Sequence, residues 1–109
     1  MKKKAGDFAV RYTEAARHDL LRLFDFLLDR CQAPEDFEHA QFVIDTLASE
    51  VEQRLSRAPF IYRKAGTSPF LRELIIPFGS SGYVALFEIE DSQTISILAV
   101  RHQLEDDYH

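Results

Sequence analysis

From Asp7 to Tyr12 the chain alternates, with Phe8, Val10 and Tyr12 on one side and Ala9 and Arg11 on the other. That period of two predicts a half-buried strand. Thr13 ends it and is suited to cap a helix starting at the next residue. Beyond it the apolar positions change period: Ala16, Leu20, Leu23, Phe24, Leu27, Leu28 and Cys31 form one stripe of a helix over about residues 14–31. Pro34 suits the first turn of a second helix, and Glu35 and Asp36 stand where the helix dipole favours acid. Its stripe is Phe37, Ala40, Ile44, Leu47, Ala48, Val51 and Leu55, and Pro59 stops it after Arg54 and Arg57. Three apolar runs come next, Leu71–Pro77, Tyr83–Ile89 and Thr94–Val100. The breaks between them, Phe78–Gly82 and Glu90–Gln93, have the length and the Gly, Ser and Asp content of hairpin connections, which predicts an antiparallel meander.

The order is therefore β-α-α-β-β-β. Two helices joined only by Gln32 and Ala33 form a hairpin, and their joined stripes need a flat apolar partner. The expected architecture is α+β, a helical hairpin on one face of an antiparallel sheet. Regular alternation along the last strand puts Leu98, Val100 and His102 on one face and Ile95, Ile97, Ala99 and Arg101 on the other. Both faces then read as largely apolar, and the helices cover only one. The expectation is an open greasy face that another polypeptide covers, with Phe26, Phe42 and Val43 off the main helical stripes pointing the same way. The alternative is that the segment from Ile61 to Phe70 folds over it.

At 109 residues the chain forms one domain, residues 1–109, because this length buries a single core. An apolar fraction of 46% and a charged fraction of 28% belong to an ordinary globular protein rather than a disordered one. Every apolar run is shorter than the roughly 18 residues a membrane span needs. Met1-Lys2-Lys3-Lys4 leads into Ala5-Gly6-Asp7 rather than an apolar segment, so no membrane is expected and the cytoplasm is the expected location. Cys31 is the only cysteine, which excludes an internal disulfide and suits a small core residue. His18, His39, His102 and His109 are scattered without metal-ligand spacing, and no phosphate loop or nucleophile motif occurs, so neither metal nor cofactor is expected.

A net charge of −5 disfavours direct nucleic-acid binding, which relies on Lys and Arg to neutralise phosphates. The charge is nevertheless uneven. Arg54, Arg57, Arg63, Lys64 and Arg72 succeed one another with no acid between Arg54 and Arg72, while Glu35, Asp36 and Glu38, and Glu105, Asp106 and Asp107, cluster elsewhere. One basic region on an acidic body suits a local anionic partner, or a solvated loop beside a helix C-terminus.

The order of elements comes with Val10-Arg11-Tyr12-Thr13-Glu14-Ala15-Ala16-Arg17-His18-Asp19-Leu20, Leu71-Arg72-Glu73-Leu74, Tyr83-Val84-Ala85-Leu86-Phe87 and Ile95-Ser96-Ile97-Leu98-Ala99-Val100-Arg101-His102. Together these resemble the RelE/ParE superfamily of bacterial toxins over nearly the whole chain. The ending Val100 to Tyr108 is similar to the ParE-like, plasmid-stabilisation branch. The resemblance implies a toxin component of a type II toxin-antitoxin system, neutralised by a cognate antitoxin that wraps an amphipathic helix and an extended segment over it. The acidic pI departs from the basic character of that superfamily.

The resemblance also implies two alternative activities. ParE-like members inhibit DNA gyrase by binding, without chemistry of their own, and this is the primary expectation. RelE-like members are ribosome-dependent endoribonucleases that cut messenger RNA, which requires a base, an acid and cations on the phosphate. For that alternative the candidates are His102 as base or acid, Tyr108 for stacking or proton donation, and Arg72, Arg101 and Lys64 as phosphate clamps. An inactive relative that survives as an antitoxin-binding module is a third reading. For target or antitoxin binding the candidates are Arg72, Arg101, Arg63, Lys64 and Tyr108. Adjacent strand residues point to opposite faces, which separates Arg101 from His102 unless the strand ends or bulges there. A packed His102 would then donate to a backbone carbonyl at the sheet edge. The acids Glu105, Asp106 and Asp107 would repel an RNA backbone approaching Tyr108.

Overall fold

The computed structural model describes residues 7–79 and 81–104. The chain runs β1 (Ala9–Tyr12), α1 (Glu14–Leu28), α2 (Pro34–Arg57), a short 3-10 turn (Pro59–Ile61), β2 (Arg63–Lys64), β3 (Leu71–Phe78), β4 (Ser81–Ile89) and β5 (Thr94–His102). The sheet order is β1-β5-β4-β3-β2. Strands β3, β4 and β5 form the expected antiparallel meander, whereas β1 pairs with β5 in parallel and makes the sheet mixed. The two helices carry the chain from β1 to β2 at the opposite edge of the sheet, and the chain returns through β3 and β4 to place β5 beside β1.

Local chemistry fixes the element ends. The Thr13 hydroxyl accepts the Ala16 N–H at 3.2 Å and opens α1. One Asp36 carboxylate oxygen accepts the N–H groups of Gln32 at 2.9 Å and Ala33 at 3.2 Å, closing the hairpin onto the first turn of α2. The β3–β4 connection is tighter than expected, because pairing continues to Phe78 opposite Ser81. Gly79 takes φ +60°, a conformation a side chain would strain, and that permits the short turn.

The core lies between the helices and one sheet face. Leu23, Val43, Leu47, Val51 and Leu55 meet Leu74, Ile76, Phe87, Ile95, Ile97 and Val100 there. Burying each large aliphatic or aromatic side chain is worth about 1.5–3 kcal/mol, so this layer dominates the favourable side of folding. Val43 belongs to it at 3% exposed, while Phe37, expected in the stripe, is half exposed and rests edge-on against Phe24.

The last strand departs from regular alternation. Leu86 faces Ala99 and Phe87 faces Ile97, so Leu98 is an extra residue, a bulge. One added residue reverses the phase: Ile95 and Ile97 join Val100 on the helix side, and Ser96, Ala99 and Arg101 take the outer face. The expected greasy open face is thereby corrected. Its β4 and β5 positions are Val84, Leu86, Glu88, Ser96, Ala99 and Arg101, of which Val84, Ser96 and Ala99 are already buried. It also carries the ion pairs Arg63–Glu73 and Arg11–Glu90. The large exposed apolar side chains sit elsewhere: Leu21 and Phe26 on α1, Phe37 and Phe42 on α2, Phe60 and Ile61 in the 3-10 turn, Phe70 just before β3 and Leu104 just after β5.

Candidate functional site

β1 runs beside only the first part of β5, and the start of α1 supplies partners for the backbone groups beyond its end. β1 ends opposite Ile97, where Thr13 N–H donates to the Ile97 carbonyl at 3.0 Å and the Thr13 hydroxyl donates to the same oxygen at 2.9 Å. Beyond that point Val100 N–H donates to the Asp19 carboxylate at 2.8 Å, and Arg22 donates to the Val100 carbonyl at 3.4 Å. Asp19 is 3% exposed. A buried carboxylate is tolerated only where such bonds replace water. Candidate selection from sequence missed Thr13, Asp19 and Arg22. The available signal was a carboxylate inside an apolar stripe, three residues after Ala16 and four before Leu23.

Beyond the bulge, the two residues expected at the strand exit part company. Arg101 faces Val84 on the outer side, and its guanidinium donates to the carbonyls of His102 at 3.3 Å and Gln103 at 3.4 Å. His102 faces Tyr83 on the helix side, ring to ring at 5.4 Å and 86°. Its Nδ1 accepts the Leu104 N–H at 3.1 Å, so the neutral ring carries its proton on Nε2. Burial holds the Tyr83 hydroxyl above its ordinary pKa.

Arg72 stands at the far corner. It shares the helix-side face with Leu74 and Ile76, opposite Phe87, and does not meet Glu88, which pairs across from Leu71. Its guanidinium donates to the carbonyls of Pro69 at 2.8 Å, Phe60 at 3.0 Å and Tyr62 at 2.7 Å. Counting along β4 from Phe87 to Tyr83 and across two strands separates Arg72 from His102 by roughly 16 Å. Lys64 pairs directly with Arg72, while Arg63 pairs with Glu73 through a two-point ion pair at 2.9 Å. Tyr108 lies outside the described residues. The structure thus brings Lys64 to Arg72 and keeps both from Arg101 and His102.

Much of the basic region is committed within the protein. Arg54 pairs with Glu50 at 3.0 Å, Arg63 with Glu73, and Arg72 with three carbonyls, which leaves Arg57 and Lys64 as its exposed cations without a described bond. Apolar hollows instead mark the helical hairpin. One of about 470 Å³ between the helices is lined by Arg17, Leu20, Leu21, Phe24, Gln41 and Ile44. Among the described residues no helix is long and apolar enough to cross a membrane.

This architecture, two helices on a five-stranded mixed sheet, is that of the ParE toxins. The family model for the ParE toxin of the type II toxin-antitoxin system parDE matches residues 10–107, and the chain belongs to that family. The toxin RelE3 of Caulobacter vibrioides is 36% identical over 90 residues, covering 83% of this chain and 88% of that protein. Among solved structures, a chain of the chromosomal ParDE TA system from P. aeruginosa superposes with a TM-score of 0.69 at 17% identity. The match covers 90% of this chain and 98% of that one, and establishes the shared fold. Both branch names occur among these matches, and the chain is a toxin of the RelE/ParE superfamily.

Proposed function

We propose that this toxin acts by binding a protein, DNA gyrase, and not by cutting RNA. The observation that carries this reading is the dispersal of the cleavage candidates. Arg101 and His102 lie on opposite faces of the sheet, and Arg72 is roughly 16 Å from the histidine and engaged with backbone carbonyls. General acid–base cleavage needs base, acid and phosphate cations within reach of one phosphodiester. A binding toxin needs only a surface.

The antitoxin is the second partner of this reading, and it is expected from an adjacent gene. Half-exposed Phe26, Phe37 and Phe42 with Leu21 on the helical hairpin support a seat for an amphipathic segment, read as helix-in-groove recognition. Arg101, Lys64 and Arg63 are assigned to contacts with target or antitoxin, and the protein works in the cytoplasm.

Purified toxin is added separately to a gyrase supercoiling assay and to a translating ribosome mixture. Inhibited supercoiling with intact messenger is the expected result. Messenger cleavage with unaffected gyrase would establish the endoribonuclease reading, and silence in both would leave an antitoxin-binding module.

A further inference from the structure

Outside the helical hairpin and the β5 exit, one hollow combines aromatic walls with an acidic rim. It has a volume of about 410 Å³, and Phe8, Phe60, Phe70 and Ile89 form its walls, with Glu90 and Asp91 at its edge. That volume falls in the range of about 300–1,000 Å³ typical of small-molecule sites. Phe60 and Phe70 meet edge to face at 6.4 Å and are each 49% exposed, so both keep surface for a visitor.

The rim is fixed in place. Asp91 accepts the Gln93 N–H at 2.8 Å, a local turn that orients its carboxylate. Glu90 pairs with Arg11 at 3.0 Å and accepts the Ser96 hydroxyl. Among the described residues no lysine or arginine lines the hollow. Aromatic faces carry negative quadrupole charge, and beside carboxylates they attract a weakly hydrated planar cation more than an ammonium. The protein already uses this chemistry on one of the walls: the Arg72 guanidinium, which does not line the hollow, stands 5.4 Å from the Phe60 ring centre.

We propose that this hollow is a docking seat for an arginine side chain presented by a peptide segment of a partner protein, distinct from the hairpin surface and independent of whether the target is gyrase. The guanidinium would stack against Phe70 and Phe8 and turn its N–H edge to Asp91 and Glu90.

The test uses the full chain, isotope-labelled, with two blocked probes: N-acetyl-arginine methylamide and its neutral isostere, N-acetyl-citrulline methylamide. The expected result is saturable shift changes confined to residues around 8, 60, 70 and 89–92, with citrulline about fivefold weaker or worse. Asp91→Asn keeps the turn acceptor and removes the charge, and Phe70→Ala removes a wall. Each should weaken arginine binding about threefold or more while spectra elsewhere are unchanged. No saturable change, equal binding of citrulline, or changes centred elsewhere would overturn the proposal. So would binding seen only after deletion of residues 1–6, which would assign the seat to the chain's own lysine-rich start.

Discussion

The Asp19 carboxylate in α1 accepts the backbone N–H of Val100 in β5 at 2.8 Å, across a sequence gap of eighty-one residues. This bond joins the first helix to the part of β5 just after the Leu98 bulge, beyond the end of β1. Asp19→Ala leaves a buried amide without an acceptor, which costs about 2–3 kcal/mol. Asp19→Asn retains one carbonyl oxygen and should cost about 1 kcal/mol. Urea unfolding checks both values, and hydrogen exchange at Val100 should rise far more in the alanine variant. Equal protection in the two would show that the bond does not hold the bulge.

Most of the element order was legible because the apolar period changes from two to 3.6 and back, and because Pro34, Pro59 and Gly79 stand at boundaries. The face assignment in β5 was not. Every residue from Ile95 to Val100 except Ser96 is apolar, so a one-residue slip leaves no trace in the pattern, and the bulge at Leu98 inverted the faces unseen. Arg72 was legible as a site candidate by charge, but its engagement by three carbonyls depends on how the chain folds back between Pro59 and Phe70. Asp19 carried a readable signal, a carboxylate in an apolar stripe, whose meaning appears only once Val100 is beside it.

Arg72 holds the connection before β3 together. Its donors reach Phe60, Tyr62 and Pro69, and its guanidinium covers the Phe60 ring. Arg72→Ala should lower stability by about 2 kcal/mol and open residues 58–70 to limited proteolysis. Arg72→Lys should recover less than half of this, since an ammonium cannot span three carbonyls in one plane. A melting temperature unchanged by the alanine substitution would contradict this anchoring role, and any loss of toxicity must be judged against the measured stability.

Tyr12 sets an alkaline limit. Burial, aided by nearby Glu52, pushes its hydroxyl up to about 12, and among the described residues the hydroxyl has no hydrogen-bond partner. The folded chain therefore holds this proton more tightly than the unfolded one. Stability is unaffected below pH 10 and falls between pH 10 and 12, as the unfolded tyrosine ionises first. Tyr12→Phe should flatten that fall only partly, because Tyr83 is also raised and keeps its own alkaline loss, and should stabilise the protein at neutral pH by up to about 1 kcal/mol. Thermal melts from pH 7 to 11 check both statements; a steeper alkaline loss in the phenylalanine variant would refute them.

Opposite faces give Arg101 and His102 separable phenotypes. His102 rests against the buried Tyr83 ring and accepts the Leu104 amide, so His102→Ala should lower stability by about 1 kcal/mol and shift the melting temperature by several degrees. Arg101 lies on the outer face, where its described bonds go to carbonyls of the next two residues, His102 and Gln103. In the gyrase-binding reading, Arg101→Ala should weaken growth inhibition by about tenfold or more, the effect of losing a contact worth about 1.4 kcal/mol, with a smaller change in melting than His102→Ala. A binding toxin has no proton to transfer, so His102→Gln, which keeps an acceptor near the Leu104 amide, should retain toxicity at the level its folded fraction allows. Loss of toxicity in a fully folded His102→Gln protein would return the histidine to a chemical role.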